Sequence, residues 1–450
     1  MPTLKKNAYS TGSGRFIAAF VLGFFLLPPS LAADATANVV ASAETPLQEL
    51  IAEALRNNPE IRAARHEAGA AHHRISPAGA LDDPLLEAGV VNLPLSSLSF
   101  KRDDMTMKML GLSQKLPFPG KRALREEIAA KDTEALDHAY RETANRVVRD
   151  LKLAYFDLAL VIQSTRMTQK NAQILGQFLK IAETRYTTGQ GNQADVLKAQ
   201  IQLSRMRDEL IRLSHERQMI EADLGRAAGR GPGRAIGSGE LLPEIPRLHE
   251  AEMPLETLRE TALKQRPQLL ALQNLVERNA RAVDLARQDY YPDFDVKLSY
   301  GQRSGSMDGV RRDDMVSLTL AMNLPLWRAS KLEPRVAEAI AMRDQMSDMY
   351  QAQQNEVFAK LRQQAANARH SLQSARLYES TILPQARLGV ETALVAYRVN
   401  RVDFMTLLDS QMTVFNYEIA YETALANYNK ALAEIDLLTG AQQRIVEEKE

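Results

Sequence analysis

From Gly120 to Gly231 the chain contains no proline, and apolar residues recur through most of that span at three-to-four spacing. So long a run without a breaker limits the chain to long helices. Its one interruption is Arg185-Tyr186-Thr187-Thr188-Gly189-Gln190-Gly191-Asn192-Gln193-Ala194-Asp195-Val196-Leu197-Lys198-Ala199-Gln200. Gly189 and Gly191 allow the left-handed backbone that ends one helix and reverses the chain. Asp195 then falls in the first turn of the returning helix, where a carboxylate suits the positive end of the dipole. The pattern predicts the tip of an antiparallel helical hairpin. At 1.5 Å per residue its outgoing arm, from Gly120 to Gly189, spans on the order of 100 Å.

The arms carry a coiled-coil pattern. Leu203 and Leu210 stand seven apart on the returning helix, as do Met206, Leu213 and Ile220. The outgoing arm places Leu151, Tyr155, Leu158 and Ile162, then Ile174, Phe178 and Ile181, on one face.

The hairpin occurs twice. An offset of 211 carries Tyr186 to Tyr397, Leu197 to Leu408, Gln200 to Gln411, Ala222 to Ala433 and Gly229 to Gly440. Gly189 becomes Asn400, the next best residue for a left-handed turn. The second returning helix again keeps sevens, through Leu407, Val414, Tyr421, Tyr428 and Ile435. At an offset of 208, Pro254, Leu255, Leu258, Ala262, Leu263 and Pro267 match Pro46, Leu47, Leu50, Ala54, Leu55 and Pro59, which open two short helices. The chain is a tandem duplication.

Between short and long helices the period changes to two. Phe294, Val296, Leu298 and Tyr300 alternate with Asp295, Lys297 and Ser299, and after a polar loop Val316, Leu318, Leu320 and Met322 alternate with Ser317, Thr319, Ala321 and Asn323. Such alternation marks half-buried strands, and two strands of this length match a membrane-barrel hairpin, with lipid on one face and a polar lumen on the other. The first copy, Leu85–Leu93 and Met105–Leu116, is weaker. Asp103-Asp104-Met105 parallels Asp313-Asp314-Met315 at 210 while Leu116-Pro117 parallels Leu324-Pro325 at 208, so a two-residue slip lies between them. Phe100, Tyr290, Tyr291, Tyr300 and Trp327 flank the strands as an aromatic girdle would. Four strands cannot close a spanning barrel, and an open edge in lipid leaves backbone groups unsatisfied, so transmembrane strands require an oligomer.

These features divide the chain into a signal peptide (1–32), a polar segment (33–45), a first repeat (46–229; strands about 84–116, hairpin about 120–229), a linker (230–253), a second repeat (254–440; strands about 294–324, hairpin about 328–440) and a tail (441–450). The signal rests on Lys5, Lys6 and Arg15 before an apolar core from Phe16 to Leu27, then Ser30-Leu31-Ala32, with cleavage expected after Ala32. Pro384 lies inside the second long helix and is expected to kink it.

Chemistry is sparse. The 56 basic residues balance 56 acidic ones, so no bulk charge points to nucleic acid, and there is no cysteine. No phosphate-loop lysine, Gly-x-Ser-x-Gly or His-Glu-x-x-His occurs. The Gly229-x-Gly231-x-Gly233 run lacks a preceding strand. His66 and His73 lie two turns apart, unlike a zinc-chelating pair, and read as surface residues. No cofactor, metal site or enzyme is expected. Met105, Met107 and Met109 alternate along one face of the weak strand. Thioethers suit Cu(I) or Ag(I), but the expectation is plain apolar side chains facing lipid. At the second tip Asp403 reads as a helix cap. Asp409 is either a solvated face or, if several tips converge on an axis, a ring of like charge that favours cations and repels itself.

With its duplication and two tip turns, the chain resembles the TolC family of outer-membrane efflux proteins over about residues 46–440. The resemblance is carried by Arg185-Tyr186-x-x-Gly189-x(5)-Asp195-Val196-Leu197-x-Ala199-Gln200 and its echo Tyr397-x-x-Asn400-x(7)-Leu408-Asp409. It implies a mainly α fold with a β-barrel. In a homotrimer, duplicated helical hairpins would form a coiled-coil tunnel, and four strands per chain would complete one twelve-stranded barrel in outer-membrane lipid. It implies localisation to the Gram-negative outer membrane with a periplasmic extension. The implied partners are a periplasmic adaptor (membrane fusion) protein and an inner-membrane pump of the resistance-nodulation-division class, with no nucleic acid. The gate positions it implies are Tyr397, Asn400, Thr406 and Asp409, and the adaptor-docking positions are Tyr186, Gly189, Gly191, Asp195, Asn400, Val402 and Asp403. The chain departs from the family where Thr406 replaces an aspartate found in some members and Val402 an arginine. Ser113-Gln114-Lys115-Leu116-Pro117-Phe118-Pro119-Gly120-Lys121 is similar to members serving heavy-metal cation pumps. The alternatives are a drug or type I protein export duct of the same family, or an exported coiled-coil structural protein.

Overall fold

The computed structural model describes residues 47–231 and 254–441. The expected signal peptide, polar segment and all but the edges of the linker and tail lie outside the described residues. In the first repeat, short helices α1 (Leu47–Asn57) and α2 (Pro59–Gly79) precede strands β1 (Leu85–Val91) and β2 (Met107–Leu116), then helices α3 (Lys121–Thr187) and α4 (Gln193–Ala227). The second repeat runs α5 (Leu255–Gln265), α6 (Pro267–Gln288), β3 (Phe294–Arg303), β4 (Met315–Met322), α7 (Glu333–Leu377), α8 (Leu383–Arg398) and α9 (Phe404–Thr439). The 67 residues of α3 span about 100 Å.

The second long arm is interrupted, and its proline is the cause. Residues Tyr378–Ile382 form a π turn in which the Leu383 amide donates to Tyr378 O, five residues back. Pro384 has no amide to donate, and its ring would crowd the carbonyl of Ser380. The wider turn accommodates that conflict where a kink was expected. A second π turn, Arg328–Leu332, likewise ends two residues before a proline, Pro334.

Each hairpin closes on its own elbow. Gly229 and Gly440 adopt positive φ at the ends of α4 and α9. A Cβ on Gly229 would lie 2.7 Å from the Asn58 backbone, and one on Gly440 2.5 Å from Gln265 O, so both sites require glycine. Buried Asn58 completes the first contact: it caps α2 by accepting from the Glu60 amide at 2.8 Å and donates to Ala227 O at 2.9 Å. Apolar cores form at the base of each repeat, around Leu50, Leu151 and Leu224 and around Leu258, Leu361 and Leu438. A third unites both hairpins at their tips. Along the arms α3 and α9 are joined by Arg149–Glu434, Lys152–Asp436 and Lys430–Asp157, at 2.7 to 2.8 Å.

The four strands form one antiparallel sheet in the order β1-β2-β3-β4. Leu86, Leu112, Leu298 and Leu318 make one cross-strand row, and Ala88, Leu110, Tyr300 and Val316 the next on that face. The opposite face carries Glu87, Gly111, Ser299 and Ser317 in one row and Leu85, Ser113, Lys297 and Thr319 in its neighbour. Lys297 crosses over Gly111, whose absent side chain leaves the room, to pair with Glu87.

Two details of the first strand pair differ from the sequence expectation. Strand β2 begins at Met107, leaving Met105 in the preceding loop, where its amide is held by Asp103 at 2.8 Å. Both second strands therefore start on methionines 208 apart, Met107 and Met315, and the two-residue slip is absorbed in the loop. Met107 and Met109 also lie on the polar face with Glu87, Lys297 and Ser299, not on the apolar face where they were expected. Strand pairing fixes the register, and the Leu110–Leu112 face takes the apolar side.

Candidate functional site: the paired hairpin tips

The two tips are the same turn built from different residues. At the first, the Gly189 amide donates to Tyr186 O and the Gln190 amide to Arg185 O; at the second, Asn400 donates to Tyr397 O and Arg401 to Ala396 O. This double closure needs a left-handed residue, supplied by Gly189 (φ 74°) and Asn400 (φ 60°). Three residues later a side chain caps the returning helix: Asn192 accepts from the Ala194 amide at 3.1 Å, and Asp403 from the Thr406 amide at 3.0 Å. Gly191 sits so close to the end of α3 that a Cβ would lie 3.0 Å from the Tyr186 amide nitrogen.

One side chain joins the tips. Arg185 Nη1 donates to Tyr397 O at 2.5 Å, and its guanidinium lies 4.5 Å from the centre of the Tyr397 ring. Tyr397 is buried, with its ring 5.6 Å from Phe404. Burial pushes the Tyr397 phenol up, the Asp195 charge adds to that and the Arg185 charge opposes it. Asp195 therefore sits in the field of this cluster, in the first turn of α4. Deeper in the same core, Gln411 donates to Asn171 at 2.9 Å, and Asn171 in turn reaches Met206 Sδ at 3.3 Å, tying α9 to both arms of the first hairpin.

The remaining tip residues stay outside this cluster. Tyr186 is half exposed, and Val402 packs partly into the tip core. Thr406 is exposed and its hydroxyl donates to Asp403 at 2.5 Å. That hydroxyl and the Thr406 amide hold the Asp403 carboxyl below the ordinary carboxylate value. Asp409 is exposed on α9, clear of the Arg185–Tyr397 contact. Arg185 and Asn192 stand inside the tip motif, yet sequence spacing assigned neither a partner. The aromatic partner of Arg185 lies 212 residues away, and only the 211-residue offset between the tips could have hinted at it.

At the other end of α3 the β2-to-α3 crossover of the first repeat is pinned to the α6-to-β3 connection of the second. Lys121, only 2% exposed, reaches Asp293 at 2.9 Å, Asp289 at 3.4 Å and Tyr291 O at 3.3 Å, beside a Phe118–Tyr291 stack with centroids 4.6 Å apart. Among the described residues there is no cluster of three or more His, Cys, Asp or Glu placed to hold a metal ion, and no helix long and apolar enough to cross a membrane.

The family model described as "Outer membrane efflux protein" matches residues 50–230 and 258–441. The cobalt-zinc-cadmium resistance protein CzcC of Cupriavidus metallidurans is 22% identical over 330 residues, covering 71% of this chain and 74% of that protein. The pyoverdine export outer membrane protein OpmQ of Pseudomonas putida is 21% identical over 392 residues, 83% of this chain and 81% of its own. Among solved structures, the outer membrane protein VceC of Vibrio cholerae superposes with a TM-score of 0.74 at 18% identity, covering 88% of this chain and 96% of its own. CusC superposes with a TM-score of 0.72 at 15% identity, over 89% and 93% of the two chains.

Proposed function

The chain belongs to the outer membrane efflux protein family, and from that premise we propose that it is a passive export duct. Three copies close one twelve-stranded barrel in the outer membrane, and their hairpins continue it as a tunnel into the periplasm. The observation that carries this reading is the pair of open edges in each layer. The sheet ends at β1 on one side and β4 on the other, with no strand of the described residues beyond either. In the helical layer α4 exposes Leu197, Ile201 and Ile211 along one flank, while α7 and α8 expose Leu377, Leu388 and Val395 along another. Neighbouring copies, packed head to tail, cover both kinds of edge at once and close a ring. The leucine row then faces lipid and the Glu87–Lys297 face lines the bore.

In this duct the tips are the moving and docking parts. Tyr397, Asn400, Thr406 and Asp409 form the gate, with Asp409 as a ring of like charge around the axis. Tyr186, Gly189, Gly191, Asp195, Asn400, Val402 and Asp403 receive the hairpins of a periplasmic adaptor, which couples the duct to an inner-membrane pump of the resistance-nodulation-division class. Because Thr406 is engaged with Asp403, the second tip is stiffened locally and the closing contact falls to Arg185 and Tyr397. Heavy-metal cations are the substrate class this reading favours, supported by the Ser113–Lys121 stretch and by the similarity to CzcC.

The natural absence of cysteine makes the test clean. With one cysteine in β1 and one in β4, oxidation gives disulfide-linked dimers and trimers between chains. Within a chain those strands are three strand spacings apart, roughly 14 Å, too far for a disulfide. A cysteine scan of both strands that yields no linked species removes the shared barrel.

A further inference from the structure

The methionines on the inner face of the sheet have a geometry that simple space-filling does not need. Met109, Gly301 and Met315 form one cross-strand row over β2, β3 and β4. Residues in such a row point to the same face, so two thioether side chains flank a residue that has none. Their strands are roughly 10 Å apart, a gap that two methionines leaning inward can bridge. Met107, two residues from Met109 on β2, shares their face. Its sulfur occupies the space above Gly301: any side chain there would collide with Met107 Sδ. The Met107 sulfur therefore lies over Gly301, with Met109 and Met315 on either side of that glycine in the same cross-strand row. Arg303, the cross-strand partner of Met107, is turned to the β3–β4 loop, where its Nε donates to Asp313 O at 2.6 Å.

We propose that Met107, Met109 and Met315 form a three-sulfur site for a soft monovalent cation, Cu(I) or Ag(I), on the inner face of the sheet at the end away from the helices. Thioethers are neutral, polarizable donors that select such ions over Zn(II) and other harder cations. Gly301 is the positioning element, because only its missing side chain lets the Met107 sulfur reach the row. The site's placement on the wall of a bore rests on the duct reading; the site itself needs only the sheet.

The test uses the full-length protein purified in detergent, with Ag(I) as the air-stable probe and Cu(I) supplied anaerobically from a chromophoric chelator. The expected result is one Ag(I) bound per chain, with Zn(II) failing to compete. Met107→Leu, Met109→Leu and Met315→Leu each weaken binding tenfold or more, and Gly301→Ala does so without removing a sulfur. Met105→Leu and Met307→Leu, in the adjoining loops, leave it unchanged. Unaltered Ag(I) affinity in the Met107→Leu/Met109→Leu/Met315→Leu triple variant overturns the proposal. Oligomeric state is measured on the same samples. Metal binding by a chain that is not trimeric leaves the site standing and overturns the duct; a trimer blind to Ag(I) does the reverse.

Discussion

The Arg185 guanidinium lies 4.5 Å over the Tyr397 ring while donating to the Tyr397 carbonyl at 2.5 Å, so a single side chain of the first hairpin holds both the ring and the backbone of the second. The two interactions engage different parts of one residue, and both are lost if the tips separate. Opening the tunnel by moving one hairpin against the other breaks them together.

Arg185→Ala should therefore loosen the tip by two interactions, each worth on the order of 1 kcal/mol. Single-channel conductance in planar bilayers should rise. Arg185→Lys retains charge but not the planar fork, and should fall between the two. Unchanged conductance in Arg185→Ala would remove this contact from the gate.

The elbow of the first repeat depends on Asn58, which satisfies the start of α2 and the end of α4 from a buried position. Asn58→Ala should cost about 2 kcal/mol, read as a lowered dissociation temperature. Asn58→Asp keeps the acceptor for Glu60 but loses the donor to Ala227 O, and should recover only part of that stability.

Much of this was legible in the sequence, because it is written in periodicity. The missing prolines from Gly120, the sevens through Met206 and Leu213, and the two-residue alternation through Leu298 each follow from one local rule. The 211-residue offset made each repeat a check on the other, which is why Asn400 could be read as a turn residue without a glycine. What escaped was long-range pairing. Nothing local states that Arg185 meets Tyr397, or that Lys121 meets Asp293. The methionines misled for a related reason: alternation shows that Met107 and Met109 share a face, but only the register with β3 says which face it is.

The two faces of the sheet should differ sharply toward charge. Leu298→Arg places a cation on the leucine row and should cost roughly 2–4 kcal/mol if that row lies at the bilayer midplane. Ser299→Arg, one residue on, joins the Glu87–Lys297 face and should assemble normally. The yield of each variant in the outer-membrane fraction measures the difference.

Glu422 gives a pH dependence of definite sign. Burial pushes its carboxyl above the ordinary 4.5, and the nearby Glu418 charge adds to the shift. The folded protein thus holds this proton to higher pH than the unfolded chain does. The group's contribution to stability accordingly falls as pH rises from about 4.5 through the raised value. Glu422→Gln removes the titration, so its dissociation temperature should exceed the parent's at neutral pH and converge with it in acid.

The central claim is that this chain works only as a closed ring in the outer membrane, and electrophoresis of detergent-extracted outer membranes, unheated against heated, tests it most directly. The account predicts a heat-sensitive band at three times the chain mass that collapses to a single chain on boiling. A soluble monomer in the periplasmic fraction would contradict it, removing the shared barrel, the bore and the Asp409 ring together.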